Sequence, residues 1–139
     1  MKYFKEYKTI GLELGINLKF LNKKYPLRTW LESDFDINPK IKTDVLICSD
    51  VIEHIVNPDD LIKYIKKMKF KYLVLSTPDR DLVYEDGSEF LNGPPRNLAH
   101  IREWSFDEFK EYISKHFKII DHRVTNMGQS TQTIICQKY

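Results

Sequence analysis

The stretch that decides the fold runs from residue 44 to residue 55 and reads Asp44-Val45-Leu46-Ile47-Cys48-Ser49-Asp50-Val51-Ile52-Glu53-His54-Ile55. It begins with a continuous apolar run bounded by polar residues, which is typical of a strand covered on both faces at the centre of a parallel sheet. Polar side chains follow where this strand ends. Because open α/β sheets bind ligands beyond the carboxyl ends of their parallel strands, this end of the stretch is a candidate site.

Strands and helices alternate on both sides of this stretch. The apolar patterns predict further strands at residues 9–14, 28–32, 71–77, 117–124 and 131–137, and helices at residues 16–24 and beginning at Pro58 and Ser105. Residues 2–7 are typical of the end of another helix. The last two strands are joined by only a few residues around Gly128, and so short a connection requires an antiparallel hairpin. The fold class predicted is therefore α/β, Rossmann-like, with a mostly parallel sheet and a C-terminal antiparallel hairpin.

The start of the last helix carries the clearest local signal. Ser105-Phe106-Asp107-Glu108 is a capping box, and Trp104 and Phe109 flank it as a hydrophobic staple. Between Pro78 and this helix the sequence has no usable period. We therefore interpret residues 78–104 as a loop on the substrate side, because long loops in compact domains are usually functional.

Length and composition narrow the class of protein. With 139 residues, of which 42% are hydrophobic, the chain is expected to form one domain over residues 1–139. Its 22 basic and 20 acidic residues are too evenly balanced for a nucleic-acid partner to be expected. No apolar run is long enough for a membrane span, and no signal peptide is recognisable, so a soluble cytoplasmic protein without a membrane partner is expected. Cys48 and Cys136 are predicted to be buried free thiols.

Two segments together resemble a known family. The stretch of residues 44–55 resembles the Asp-x-x-x-x-Asp-x-x-Glu-His segment of class I S-adenosylmethionine-dependent methyltransferases of the small-molecule type. His100-Ile101-Arg102-Glu103-Trp104-Ser105 resembles the His-x-Arg-x-Trp-Ser/Thr segment that leads into a later helix of that family. The resemblance extends from Thr9 to the end of the chain.

The resemblance implies a cofactor site for S-adenosylmethionine. Glu13, at the end of a strand, would hold the ribose hydroxyls, and Ser33-Asp34-Phe35 would contact the adenine. Ser49 and Asp50 would lie under the methionine part. Without the family context, an acid at the end of a strand is equally well explained as a surface residue.

The acceptor side is expected in the loop. We interpret His100 as the base that removes a proton from the acceptor, since imidazole can take up a proton at neutral pH. A histidine bonded to loop backbone is the alternative. Arg96 and Arg102 could hold a carboxylate or phosphate of the acceptor, although pairing with nearby acids such as Glu103 is the commoner role of such arginines.

A metal site is the weaker interpretation of Asp50, Glu53 and His54. On a helix these three side chains would share one face and could bind a divalent cation. Acids near a helix start and a histidine packed under the sheet explain the same spacing. We therefore predict no metal ligands.

One departure from the family concerns its glycine-rich turn. The five glycines of the chain include no Gly-x-Gly after a strand, so the sequence resembles a methyltransferase domain truncated at its N-terminus. The strand that normally lies between residues 9–14 and 44–49 would then be missing. Because unpaired apolar strands are unfavourable, we expect rearranged strand pairing, a homodimer or a complementing chain.

Two functions follow from these observations. The first is methyl transfer from S-adenosylmethionine to a small polar acceptor such as a sugar, with a second copy or another chain completing the cofactor site. The second is a methyltransferase-like protein without catalysis that acts as a binding or regulatory partner. Met1 as an internal start of a longer protein is a further interpretation. A nucleotide-dependent oxidoreductase is disfavoured, because it would also need the glycine turn.

Overall fold

The structure is a computed structural model that describes residues 6–34, 36–37 and 39–139. The chain divides into two compact units, Met1–Ile41 and Lys42–Tyr139, and each is described by itself. The predicted helix end at residues 2–7 lies largely outside the described residues, as does Phe35. That the whole chain is a single domain stays a prediction.

The first unit is a strand, helix and strand. Strand β1 (Ile10–Glu13) is followed by helix α1 (Gly15–Lys24) and strand β2 (Thr29–Glu32), and the two strands pair in parallel. Gly11 lies opposite Trp30 in this ladder, and a Cβ at residue 11 would come within 2.2 Å of the Trp30 ring. Glycine is therefore required there for the indole to pack across β1.

The second unit contains a four-stranded sheet. Its strands are β3 (Val45–Ser49), β4 (Tyr72–Pro78), β5 (Lys118–Asn126) and β6 (Thr131–Gln137), in the spatial order β3-β4-β6-β5. Strands β3 and β4 are parallel, whereas β6 is antiparallel to both β4 and β5. Together with the parallel pair of the first unit, this confirms the predicted Rossmann-like α/β class with a C-terminal antiparallel hairpin.

Three helices of the second unit begin at recognisable caps. They are α2 (Pro58–Lys67), α3 (Arg80–Val83) and α4 (Phe106–Ser114). The Asn57 side chain caps α2 by accepting from Asp59 N–H, and proline at the first helical position fits because its missing N–H would have no partner there. At α4 the predicted capping box is present, with Ser105 Oγ and the Glu108 carboxylate each bonded to the other residue's N–H.

The core lies between one face of this sheet and helices α2 and α4. Leu73 and Leu75 of β4 pair with Cys136 and Ile134 of β6, and all four are fully buried. The fully buried aromatic rings are those of Phe109 and Phe117. Complete burial of each large apolar side chain contributes about 1.5–3 kcal/mol relative to exposure.

Strand β3 differs from the sequence prediction. It forms an edge of the four-stranded sheet rather than its centre, and the side chains of Val45 and Ile47 are 47% and 56% exposed. A continuous apolar run indicates a strand that belongs to a parallel sheet, but it does not show whether that strand has a hydrogen-bonded neighbour on both sides or on one side only.

Two composition-based predictions can be compared with the described residues. Cys48 and Cys136 are free thiols, and burial raises the pKa of each to about 12. Among the described residues, no helix is both long and apolar enough to cross a membrane.

Candidate functional site

The strands of the first unit end in three of the predicted cofactor residues. Glu13 is the last residue of β1, and its carbonyl oxygen accepts from Ser33 N–H, which follows β2, at 3.0 Å. The Glu13 carboxylate accepts from Leu14 N–H at 2.8 Å. Asp34 is exposed, and its Oδ1 accepts from the N–H groups of Asp36 and Ile37. The parallel pairing therefore brings Glu13, Ser33 and Asp34 to one edge of this pair of strands.

The end of β3 carries a network of hydroxyls around one carboxylate. Ser49 Oγ lies 2.7 Å from Ser76 Oγ of β4, and these oxygens lie 3.0 and 3.3 Å from Asp50 Oδ2 and Oδ1, respectively, so two hydroxyl protons are shared among three contacts. Asp50 has a φ of +52°, in the left-handed region that is uncommon outside glycine, asparagine and aspartate. Its N–H donates to the Ser76 carbonyl at 3.0 Å, which holds this conformation. Strained backbone of this kind often lies at functional sites.

A buried acid follows in the next turn. Glu53 belongs to a short 3-10 turn (Ile52–His54) and is only 1% exposed. Its Oε2 accepts from the buried Thr77 hydroxyl at 3.2 Å. Burial is the main reason why the pKa of Glu53 is raised, and the nearby charge of Asp50 raises it further. This turn replaces the helix on which the sequence analysis placed Asp50, Glu53 and His54.

Two histidines face each other beside Glu53. The rings of His54 and His100 are 4.9 Å apart in an edge-to-face arrangement. His54 Nδ1 lies 2.7 Å from the Ala99 carbonyl oxygen, and His100 Nδ1 is hydrogen-bonded to Glu103 Oε1. A carbonyl and a carboxylate oxygen can only accept, so each histidine donates a hydrogen bond from Nδ1–H.

Backbone bonds fix the His100 segment to this turn. The N–H groups of Ile101 and Arg102 donate to the Glu53 carbonyl oxygen at 2.8 and 3.4 Å. One ligand atom from each of Glu53, His54 and His100 lies within 4.8 Å of the other two. The structure thus brings together residues from the two sequence segments that resembled the family. His54 of the first segment contacts Ala99, which directly precedes the second segment and is 45 positions further along the chain.

The two predicted acceptor arginines have different environments. Arg96 is exposed, and its backbone N–H donates to the Tyr84 hydroxyl at 2.8 Å. Arg102 donates from Nη2 to the Val56 carbonyl at 2.6 Å and packs over the Trp104 ring. Arg102 therefore already anchors its own segment, whereas the Arg96 guanidinium extends from the exposed loop.

Sequence reasoning missed several members of this group. It assigned no role to Ser76 or Thr77, although both end a predicted strand next to β3, and it considered Glu103 only as a partner of the arginines. The order of the strands along the chain could have suggested Ser76 and Thr77. Glu103 gave no such signal, because its bond to His100 depends on how an irregular loop folds.

The loop itself is more ordered than predicted. Within residues 78–104 the chain forms α3 and a 3-10 turn at Glu89–Leu91, and Asp79 bridges to Trp104. Burial raises the pKa of Asp79, whose carboxylate accepts from Asp81 N–H at the start of α3. The two ends of the loop are therefore held together beside the end of β4.

Comparisons with known proteins agree with this fold. No protein-family model and no curated protein matches the sequence. Among solved structures, a SAM-dependent methyltransferase from Thermotoga maritima matches with a TM-score of 0.64 and 17% identity, over 94% of this chain and 73% of that one. An O-methyltransferase family 2 protein from Planctomyces limnophilus, solved with apigenin, matches with a TM-score of 0.68 and 16% identity, over 99% and 44% of the two chains.

A third match comes from a multiprotein assembly. The Pnkp1/Rnl/Hen1 RNA repair complex contains a chain that matches with a TM-score of 0.65 and 16% identity, over 99% of this chain and 33% of that one. The chain thus spans a third to just under half of two of the proteins it resembles. The fold is that of the class I S-adenosylmethionine-dependent methyltransferases.

Proposed function

We propose that this chain binds S-adenosylmethionine and transfers its methyl group to a hydroxyl of a small polar acceptor such as a sugar. One observation carries the proposal: the ends of β3 and β4 hold the Asp50 network and the buried Glu53, and Glu53 anchors the loop of His100. This is the edge of an α/β sheet at which ligands bind.

The residues at the strand ends suit the parts of this cofactor. In the first unit, Glu13 would accept from the ribose hydroxyls, and Ser33 and Asp34 would contact the adenine. In the second unit, Ser49 and Asp50 would bind the methionine part, whose ammonium group the Asp50 carboxylate complements. Phe35 is proposed as an adenine contact on the resemblance alone.

The proton of the acceptor would pass to His100. When bound, S-adenosylmethionine supplies a methyl group from a sulfonium, and the electron pair of the broken S–C bond stays on sulfur. Glu103 fixes the His100 proton on Nδ1, so that Nε2 can take the hydroxyl proton as the new C–O bond forms. The Asn97 amide lies 2.9 Å from Nε2, and an acceptor hydroxyl would take its place.

The loop would recognise the acceptor. Arg96 and Arg102 are proposed to hold a carboxylate or phosphate group of the acceptor. Arg96 is exposed on the loop and free to turn toward such a group. Arg102 would contribute through its remaining N–H groups, because one already bonds Val56.

A second copy of the chain is proposed to pair with the free edge of β3. The exposed Val45 and Ile47 side chains support this, since natural sheets seldom leave an apolar edge strand unpaired. Light scattering would then give the mass of a dimer, and Ile47→Lys would reduce it to that of a monomer. A wild-type monomer would contradict this pairing and would favour a complementing chain of different sequence.

Methyl transfer can be measured directly. The chain would be incubated with S-adenosylmethionine carrying a tritiated methyl group and a set of sugars and sugar phosphates. We expect label in an acceptor, and a rate lower by about 10²- to 10⁴-fold in His100→Asn, the usual contribution of a general base. His116→Asn, a change of the same type at a residue that lies beside Asp59 and has no part in the proposed site, would keep the rate. A folded chain that binds cofactor but labels no acceptor would instead favour a binding or regulatory role.

A further inference from the structure

We propose that Glu53, His54 and His100 bind a divalent transition-metal ion whose open coordination positions take oxygen atoms of the acceptor. The identity of the acceptor rests on the proposed function, but the metal site does not. The sequence analysis considered Asp50, Glu53 and His54 alone and predicted no metal ligands. The structure substitutes His100 for Asp50 in the group.

The ligand atoms are already close to a binding arrangement. All three lie within 4.8 Å of one another, and His54 Nε2 is 3.9 Å from Glu53 Oε1. Metal–ligand bonds of about 2.0–2.2 Å place neighbouring ligand atoms roughly 3–3.6 Å apart. Side-chain rotations that shorten these separations by about 1 Å suffice, while the bonds from Ile101 and Arg102 to the Glu53 carbonyl keep the backbones in place.

In each histidine Nδ1 already donates to an oxygen, which leaves Nε2 to bind a metal ion. His54 donates Nδ1–H to the Ala99 carbonyl, and His100 donates Nδ1–H to the Glu103 carboxylate. Metal-binding histidines almost always donate their other N–H to such a group, which fixes the ring and increases the basicity of the free nitrogen. Asn97 competes for His100 Nε2 but is exposed and can turn away.

The two acids beside the histidines are buried. Glu53 is 1% exposed, and among the described residues its Oε2 accepts from the neutral Thr77 hydroxyl while its Oε1 lies 3.9 Å from His54 Nε2. The Glu103 side chain is 2% exposed, and its Oε2 has no hydrogen-bond partner among the described residues. Since buried carboxylates are normally paired or bound to a metal, a dication at this position would stabilise both acids.

The ligand set indicates the kind of ion. Two imidazole nitrogens and one carboxylate oxygen suit Mn²⁺, Fe²⁺, Co²⁺ or Zn²⁺ better than Mg²⁺ or Ca²⁺, which prefer oxygen ligands throughout. Three protein ligands also leave open positions, as in catalytic sites. An acceptor hydroxyl bound there would lose its proton to water more readily. With the ion in place His100 Nε2 would be a ligand and could not take that proton, so His100 would act as the base only in the chain without metal, and the chelator experiment below distinguishes the two cases.

Cobalt binding tests this site without cofactor or acceptor. The full chain would be freed of metal with a chelator and titrated with Co²⁺, followed by visible absorption and calorimetry. We expect one equivalent to bind with ligand-field bands, and binding to be lost in Glu53→Gln, His54→Ala and His100→Ala. Glu103→Gln should weaken binding by roughly 10- to 100-fold, as changes to outer partners of metal ligands do.

Matched variants separate this result from general effects. His122→Ala and His116→Ala remove a histidine elsewhere and should bind Co²⁺ as the wild type does. Circular dichroism would establish that each variant is folded. No stoichiometric binding by the folded wild type, or equal binding by His54→Ala, would overturn the metal site. Methyl transfer that persists in excess chelator would overturn only the role of the ion in the reaction, whereas Co²⁺ binding without transfer would contradict the proposed function alone.

Discussion

His54 Nδ1 and the carbonyl oxygen of Ala99 lie 2.7 Å apart, although the two residues are 45 positions apart in the chain. This contact holds the loop that carries His100 against the turn that follows β3. It also fixes the position of the His54 proton. The candidate site therefore depends on a long-range contact between two irregular segments, and not on the regular elements alone.

Gln132 is expected to be important for the stability of the second unit. It is fully buried on β6, and its Nε2 donates to the Trp104 carbonyl at 3.0 Å and lies within bonding distance of the Pro78 and Ser105 carbonyls. Gln132→Met keeps the volume but removes the bond to the Trp104 carbonyl and the bond between Gln132 Oε1 and His122 Nε2, so we expect a loss of roughly 1–3 kcal/mol in the free energy of unfolding. Urea denaturation would measure it.

A matched change on the same strand serves as its control. Gln137→Met, at the end of β6, should alter the unfolding free energy by less than about 0.5 kcal/mol, as substitutions away from buried networks usually do. Equal effects of the two substitutions would contradict the role assigned to Gln132.

Removing the Ser105 cap of α4 is expected to lower the free energy of unfolding by less than the Gln132 substitution does. Ser105 Oγ accepts from Glu108 N–H, which would otherwise lack a partner in the first turn of α4. Ser105→Ala should lower the free energy of unfolding by about 1 kcal/mol. Ser114→Ala, at the exposed end of the same helix, should have little effect. Thermal denaturation of both variants would show the difference, and an unchanged midpoint for Ser105→Ala would be evidence against the cap.

His122 predicts a dependence of stability on pH. Burial is the main cause of its lowered pKa, with Lys110 lowering it further, whereas the bond to Gln132 and the charges of Asp107 and Asp121 oppose the shift. Below about pH 6.5 the unfolded chain therefore takes up a proton that the folded chain resists. Stability should fall as the pH decreases from about 6.5 toward the lower pKa of the folded state.

The His122→Asn variant isolates this contribution. Urea denaturation at about pH 7.5 and about pH 5.5 should show a smaller loss of stability on acidification in His122→Asn than in the wild type. Part of the change of the unfolding free energy with pH should remain in the variant, because burial also lowers the pKa of His116. If the two proteins lost stability equally, His122 would not be buried in its neutral form.

Local patterns predicted the regular elements well. The strands around residues 45–49 and 72–78 and the capping box at Ser105 each depend on a few neighbouring residues, and each is present in the structure. The short Met127–Gln129 turn likewise fixed the antiparallel hairpin, because no other pairing fits so short a connection.

The chemistry of the site was less predictable. Asp50 was placed on a helix with Glu53 and His54, but its left-handed backbone ends the strand instead. The approach of His100 depends on backbone bonds to Glu53 from a loop without a hydrophobic period. Such contacts join residues far apart in the chain, so no local pattern encodes them.

Calorimetric titration of S-adenosylhomocysteine into the chain tests the central claim most directly. The account predicts saturable binding at one site, weakened at least about tenfold in Asp50→Asn and in Glu13→Ala, since each removes a charged hydrogen-bonding group. Asparagine tolerates the left-handed conformation of residue 50, and Asp60→Asn on α2 provides a control that should bind normally. No binding by the folded chain, or equal affinity in Asp50→Asn, would contradict the proposal that this chain holds the cofactor.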